Sequence, residues 1–175
     1  MSEVFSFSYD TIIIKTEALL KQDGKDIVMN SIRYREALPE DTGRILEIQD
    51  IVFHGEQHIP SELLDIPDSK QPRWFVAAED GKVIGTCAAW KEGEDTHFGR
   101  FALDPDRRGH HIGTELLKYA YDQLFAAGEE VLVMECRDVS VHVISRMGGE
   151  ITGEPFDLFG DPVTPMILRK EKYHK

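Results

Sequence analysis

The feature that most constrains the fold of this chain is the stretch from Phe101 to Leu117, in which a Pro turn and a basic, Gly-bounded loop join an apolar run to an amphipathic pattern. This order predicts a β-strand, a tight loop and the start of an α-helix. N–H groups in the first turn of a helix lack intrahelical acceptors, and the aligned peptide dipoles favour an anion there. Gly109 and Gly113 let a diphosphate approach the main chain closely, and Arg107 and Arg108 add positive charge.

Two common phosphate-binding motifs do not account for this loop. The Gly-Lys-Ser/Thr of a P-loop and the Gly-x-Gly-x-x-Gly of a dinucleotide-binding fingerprint are both absent from it. A Gly-rich turn also opens helices in many α/β proteins that bind nothing there. From the loop alone, a plain helix start and an anion site therefore both stay open.

Size, charge and cysteine spacing exclude several classes of protein. With 175 residues, 41% of them hydrophobic and 30% charged, the chain fits one globular domain with a core. The net charge of -12 disfavours nucleic acid as a partner. No apolar run approaches the roughly 20 residues of a membrane helix, and a secretory signal pattern is lacking, so we expect a cytoplasmic protein with no membrane partner. Cys87 and Cys136 are predicted to be packed core thiols.

Hydrophobic periodicity predicts an α/β protein with one mixed sheet and helices on both faces. The predicted elements are a strand at 31–37, a helix bearing Ile45, Ile48, Ile51 and Val52, a loop, a hairpin of strands at 74–78 and 83–90, a strand at 97–103, a helix from Ile112 to Leu124, a strand at 131–136, a short helix at 139–147 and a last strand near 165–168. Residues 1–30 are predicted to be an N-terminal extension with an extra strand or hairpin, before a domain that spans residues 31–172.

Several motifs resemble those of one enzyme superfamily. The segment Arg108-Gly-His-His-Ile-Gly113 resembles the acyl-CoA signature Arg/Gln-x-x-Gly-x-Gly/Ala of the GNAT N-acetyltransferases, although His111 stands at the usual central Gly. Further segments resemble the small bacterial ElaA-like branch, over roughly residues 31–169: Val52-Phe-His-Gly-Glu-Gln-His-Ile-Pro-Ser-Glu-Leu63, Gly99-Arg-Phe-Ala-Leu103, Met147-Gly-Gly, Gly153-Glu-Pro-Phe-Asp157 and Pro165-Met.

The resemblance implies the GNAT fold, with a mostly antiparallel sheet and a splayed parallel strand pair at 98–103 and 131–136. It also implies that acetyl-CoA or another acyl-CoA is the co-substrate, with its pantetheine arm paired to exposed strand amides. The residues then expected to bind the donor are Phe101, Ala102, Leu103, Arg108, Gly109, His110, His111, Ile112, Gly113 and Thr114. In this superfamily an amine acceptor attacks the thioester directly, without a covalent enzyme intermediate.

The same resemblance indicates candidates for proton transfer. Glu56 is the first choice of base, since the likeness places it on the acceptor side, where a carboxylate can take a proton through water. His97 on the central strand is the second choice. Each also fits a plainer role, Glu56 as a solvated or substrate-orienting carboxylate and His97 as an ordinary strand histidine. The Tyr that protonates the leaving thiolate in many members is replaced here by Ile144.

The sequence predicts no metal site. His54 and His58 are four residues apart, but the acid of His-Glu-x-x-His is one position too late and Gly55 weakens a helix there. The interpretation is an acyl-CoA-dependent N-acyltransferase, with acetyl-CoA as the first choice of donor. Two alternatives stay open: a catalytically weak CoA-binding module of the same fold, and a synthase of long-chain N-acyl amino acids or acyl-homoserine lactones. The amine acceptor is unidentified, and the assembly is open, a homodimer included.

Overall fold

Eight strands and three α-helices make up the described part of the chain, residues 32–175, in a computed structural model. The expected N-terminal extension lies outside the described residues, so this prediction stands as made. The strands are β1 (Ile32–Glu36), β2 (Arg73–Glu79), β3 (Lys82–Glu92), β4 (Asp95–Leu103), β5 (Val131–Cys136), β6 (Glu150–Ile151), β7 (Phe156–Leu158) and β8 (Asp161–Arg169). The helices are α1 (Thr42–Gln49), α2 (Ile112–Ala126) and α3 (Asp138–Ser145).

The strands form a mixed, mostly antiparallel sheet, as predicted. Its order is β1-β2-β3-β4-β5-β8-β6, with β7 paired to β8, and among the described strands only β4 and β5 run parallel. The predicted hairpin is the β2–β3 pair, in which Glu79 faces Lys82. Its two turn residues, Asp80 and Gly81, both have positive φ, at 49° and 84°, which suits the right-handed twist of a hairpin and favours Asp-Gly.

Helices cover both faces of the sheet, again as predicted, because successive strand residues point to opposite sides. On one face α1 packs Ile45 and Ile48 against Val76 of β2 and Val83 of β3. On the other face α2 lies over the larger core cluster, which also takes in residues of β5, β8 and α3. The free thiols of Cys87 and Cys136 are buried, and burial raises the pKa of Cys136 to about 12.

The helix predicted around Ile45 to Val52 changes its geometry part of the way along. After Gln49 the α-helix continues as a π-helical turn, Asp50–Glu56. The wider turn shifts the helical phase, so Ile51 is 37% exposed whereas Val52 stays buried. Ile51, which the sequence placed in the same helical pattern as Ile45, Ile48 and Val52, is therefore not buried with them. β6 and β7, for which the sequence showed only a Gly- and Pro-rich segment, are further elements that pattern analysis missed.

The parallel pair opens after its first two residue pairs. β4 and β5 pair at Thr96 with Leu132 and at His97 with Val133, and no further pair forms between them. The register of β3 and β4 is irregular just beyond this point, and Arg100 of β4 has a φ of 53°. Such a bulge bends the strand away from its neighbour. The strand amides of β4 past His97 are thus freed on the β5 side, as the splayed pair requires.

Candidate active site

The gap between β4 and β5 opens into a cavity of about 510 Å³. Its walls come from five segments that are distant in sequence, namely the π-helical turn, the open end of β4, the loop at 108–114, the end of β5 and helix α3. The predicted donor-binding residues all line this cavity except His110, whose exposed ring contacts the carbonyl of Arg108 through Nδ1 at 2.9 Å. The binding of a donor by these residues remains a proposal, developed below.

Unpartnered backbone N–H groups line the start of α2. Within the described residues, the backbone N–H groups from Gly109 to Thr114 donate to no protein acceptor. The first backbone hydrogen bond of α2 runs from the N–H of Glu115 to the carbonyl of His111, at 3.1 Å. Buried or half-buried N–H groups need a partner, which solvent or an anionic ligand supplies. An anion could supply that partner, and the diphosphate expected there from the sequence stays a prediction.

Gly113 is glycine because α2 lies very close to β4. A Cβ built on Gly113 would lie 2.7 Å from Cζ of Phe101 and 3.0 Å from Cδ1 of Leu103. At Gly109, by contrast, an added Cβ meets nothing within 4 Å, but the φ of 81° strains any other residue. Gly109 therefore shapes the loop, while Gly113 lets the first turn of α2 pack on the strand.

The first-choice base and the loop arginine are bonded to each other. Nη2 of Arg108 donates to Oε2 of Glu56 at 2.8 Å, and both side chains line the cavity. Both are also partly exposed, at 44% and 40% of their side-chain area. The structure therefore places the predicted base next to the predicted diphosphate site, across 52 residues of sequence.

The second-choice base lies apart from the cavity. His97 stacks on Trp90 with ring centroids 5.9 Å apart, and its Nε2 is 3.5 Å from Oε2 of Glu92. It is not among the cavity-lining residues. Ile144, at the usual Tyr position, is buried and lines the cavity from α3, one turn after Ser140.

Sequence reasoning assigned no role to two arginines in this cavity. Arg137, which precedes α3, donates to Oε1 of Gln57 at 3.2 Å and to the carbonyls of Leu158 and Asp161 at 3.2 and 2.6 Å, so it ties the π-helical turn to the β7–β8 hairpin. Arg100 lies at the bulge of β4, and burial lowers the pKa of its guanidinium. A charged residue inside the apolar run Phe98 to Leu103 was the available signal.

The chain belongs to the acetyltransferase (GNAT) family, whose profile matches residues 41–148. This match covers α1, the central strands, the loop at 108–114, α2 and α3. It makes the protein an N-acetyltransferase by family, and it confirms the superfamily that the motifs indicated. Among curated protein sequences, none matches this chain significantly.

Solved structures share the fold at low sequence identity. ElaA of Escherichia coli superposes with a TM-score of 0.68 at 16% identity, over 79% of this chain and 99% of that one. An acyl-CoA N-acyltransferase from Pseudomonas aeruginosa gives 0.67 at 15% identity, over 79% and 99%. The protein yncA of Salmonella typhimurium, solved with acetyl-CoA, gives 0.65 at 20% identity, over 83% and 97%.

Proposed function

We propose that this protein transfers an acyl group, acetyl in the first place, from CoA to an amine within this cavity. The observation that carries the proposal is the opening between β4 and β5, which leads directly to the unpartnered N–H groups of residues 109–114. The family membership and a similar structure solved with acetyl-CoA support it. A cytoplasmic location, where acyl-CoA is made, belongs to the same proposal.

The donor would lie along the open strand edge with its diphosphate at the loop. Free main-chain groups of β4 beyond His97 suit the amide-rich pantetheine arm, which would add to the sheet as a further strand. Arg108 and the N–H groups of the loop would bind the diphosphate. The cavity then holds the thioester and the amine side by side, which replaces a bimolecular encounter by an oriented one.

In the reaction the amine nitrogen attacks the thioester carbonyl carbon, the new C–N bond forms, and the C–S bond breaks. The ammonium form of the acceptor must lose a proton before its nitrogen can attack. Glu56, the cavity carboxylate bonded to Arg108 of the loop, is proposed to take that proton. When Arg108 turns to the diphosphate, its bond to Glu56 is released, which leaves that carboxylate free to accept. The nitrogen then loses a second proton to give the neutral amide, and the departing thiolate takes up one proton to leave as CoA, so that one proton in all is released to solvent.

The missing Tyr leaves the last proton transfer to another donor. Ile144 offers no acidic group, but a thiol has a pKa of about 8.5, so the thiolate is a tolerable leaving group. The hydroxyl of Ser140 lies one helical turn before Ile144 on the same cavity wall. We propose that this hydroxyl and solvent donate the proton that the leaving thiolate takes up. The lack of Tyr also favours the second candidate function, a CoA-binding module with weak turnover.

Thermal unfolding with ligands separates these functions. At about 100 times its Kd a ligand stabilises a protein by roughly 2.7 kcal/mol, which is a rise in Tm of about 5–10 °C at this chain length. We expect that shift with acetyl-CoA, together with thiol release when amines are added. A shift without thiol release across an amine panel would instead establish the binding module, and a preference for long acyl chains would establish the long-chain synthase.

Two neighbouring arginines supply a matched pair of variants. Arg108→Ala removes the cavity arginine and should weaken acetyl-CoA binding about tenfold or more, because a charge-assisted bond to phosphate is lost. Arg107→Ala is the control, since Arg107 donates to Glu79 at 2.9 Å and does not line the cavity. Equal Tm shifts for both variants and the wild-type protein would mean that the diphosphate binds elsewhere.

A further inference from the structure

Arg100 is held rigidly against the cavity by contacts on several sides. Its backbone has a φ of 53°, and its carbonyl accepts a hydrogen bond from Nε2 of the buried Gln49 at 2.9 Å. The guanidinium carbon lies 6.0 Å from the ring centre of Phe53 and 5.9 Å from that of Trp90. Two aromatic faces and a fixed backbone leave the side chain few other positions.

The guanidinium is short of partners. Of its five N–H groups, one of Nη2 donates to the carbonyl of Leu63 at 2.7 Å. Nε is buried and makes no hydrogen bond, and Nη1 bonds to no group within residues 32–175. No carboxylate of the described residues lies within ion-pair distance of Arg100. A largely desolvated cation in this state is costly unless an anion completes it.

The other cavity arginines are already engaged. Arg108 is paired with Glu56 at 2.8 Å, and Arg137 bonds to two carbonyls and lies 3.9 Å from the carboxylate of Asp161. Arg100 is thus the cavity cation that the described residues leave without an anion. One uncompensated positive charge matches a monoanion, and the planar guanidinium fork matches a carboxylate.

The position of Arg100 places such an anion on the acceptor side. Its guanidinium packs on Phe53 and Trp90 and donates to the carbonyl of Leu63, and none of these residues belongs to the loop at 108–114. The arginine of that loop is Arg108, so the diphosphate already has a cation of its own. An anion at Arg100 would come from the acceptor.

We propose that Arg100 binds a carboxylate of the acceptor, so that the acceptor is a small amine that carries a carboxylate, an amino acid or short peptide. This inference rests on the proposed acyl transfer and names its substrate class. The guanidinium would also favour the neutral form of a nearby amine, since like charges repel. The same residue would therefore orient the acceptor and help it to react.

The experiment compares amino acids with their own amides as acceptors, by the rate of thiol release from acetyl-CoA. Each pair, such as glycine and glycinamide, has the same carbon skeleton and amine, and the amide lacks the negative carboxylate. The wild-type protein should prefer the acid, with a kcat/KM at least about tenfold higher. Arg100→Gln should remove that preference mainly through a higher KM for the acid, Arg100→Lys should keep part of it, and Arg107→Gln should keep all of it.

Further measurements separate a binding role from a structural one. Arg100→Gln should keep its Tm shift with acetyl-CoA, because the donor site is unchanged. Should that variant fail to fold, competition in the wild-type protein decides, where propionate should inhibit and propionamide should not. Equal rates with acids and amides, or a preference retained in Arg100→Gln, would overturn the role of Arg100 alone. Acids and amides that are all inert beside a normal acetyl-CoA shift would overturn the role of Arg100 if other amines release thiol, and the acyl transfer if no amine does. No shift with any CoA species would overturn the acyl transfer itself.

Discussion

At the scale of single residues, His111 stands in a conformation that most side chains avoid. It precedes α2 with a φ of 61° and a ψ of 2°, the left-handed region, which costs a residue with a Cβ roughly 1–2 kcal/mol. The acyl-CoA signature that this loop resembles has Gly at this position. The strain follows from the backbone that the loop adopts, which any residue other than Gly takes at a cost.

We predict that His111→Gly unfolds at a higher temperature than His111→Ala. Both variants lose the imidazole, but only Gly adopts the left-handed region without strain, so the difference should be about 1 kcal/mol or a few degrees in Tm. Thermal unfolding of the two purified variants measures it. Equal Tm values would mean that the loop relaxes to negative φ when the imidazole is removed.

The residues of this site were predictable only to the extent that they form a local pattern. Arg108, Gly109 and Gly113 stand in one short motif, so chain order alone revealed them. The bond from Arg108 to Glu56 joins residues far apart in sequence. In the described part of the chain, Arg100 lacks a carboxylate partner because the segments packed against it, which contribute Phe53, Leu63 and Trp90, supply none. Such facts arise from packing, and no spacing along the chain encodes them.

At the scale of elements, α2 carries a buried hydroxyl that no residue from 32 to 175 bonds to. Tyr121 is fully buried among Phe98, Phe125 and Tyr173, and its Oη makes no hydrogen bond within that part of the chain. Burial raises the pKa of this phenol well above its ordinary value. An unsatisfied buried polar group costs about 1–3 kcal/mol.

Tyr121→Phe is therefore expected to stabilise the protein by about 1 kcal/mol, because the ring remains and the unpaired hydroxyl goes. Tyr173→Phe is the matched control, since its Oη donates to the carbonyl of Lys118 at 3.3 Å and its removal should not raise the Tm. Thermal unfolding of both variants beside the wild-type protein gives the answer. A lower Tm for Tyr121→Phe would show that a water bonds to the hydroxyl.

The turn between β1 and α1 depends on one buried carboxylate. Asp41 accepts hydrogen bonds from Arg35 at 2.5 and 3.0 Å and from the N–H of Leu38 at 2.7 Å. The bonds from Arg35 are the main reason why the pKa of Asp41 lies below its ordinary 3.8, against the opposing effect of burial. A carboxyl with a depressed pKa in the folded state stabilises that state above its unfolded pKa, and the gain is lost as pH falls through the folded value.

We expect Asp41→Asn to lower the free energy of unfolding by roughly 1–3 kcal/mol at neutral pH. The deficit should stay constant down to about pH 5 and shrink below about 3.8, where the unfolded chain takes up a proton while the folded carboxylate is still ionised. Arg35→Gln removes the other half of the pair and should follow the same course. Urea unfolding of the three proteins between pH 3 and 7 tests this, and a deficit that is independent of pH would refute it.

Elements with a local cause were the ones that the sequence predicted well. The β2–β3 hairpin has its Asp-Gly turn, and α2 has apolar residues at helical spacing with Gly128 after its end. The π-helical turn at 50–56 has no such cause. It has more residues per turn than the α-helix before it, yet the apolar spacing of the sequence there is that of an ordinary α-helix.

At the scale of the whole molecule, one core joins the two halves of the open sheet. β4 and β5 share only two residue pairs, so the hydrogen bonds between the halves are few. Leu132 of β5 and Leu168 of β8 nevertheless belong to the same buried cluster as Phe75 of β2 and Leu116 of α2. Because apolar burial supplies most of the stability of a domain, the halves should unfold together despite the gap that the ligand site requires.

Leu132→Ala tests that cooperation. Leu132 is fully buried, and truncation of such a leucine costs about 2–5 kcal/mol, or about 5–15 °C in Tm at this length. The two tryptophans of the chain, Trp74 and Trp90, lie on β2 and β3, in the half that does not contain the substitution. We expect tryptophan fluorescence and far-UV circular dichroism to give the same lowered Tm, whereas Val133→Ala, at a half-buried position, lowers both less. Circular dichroism that shows an additional transition at lower temperature, while fluorescence keeps the wild-type Tm, would mean that the two halves unfold separately. In that case a bound ligand, and not the shared core, would hold the two sides of the cavity together.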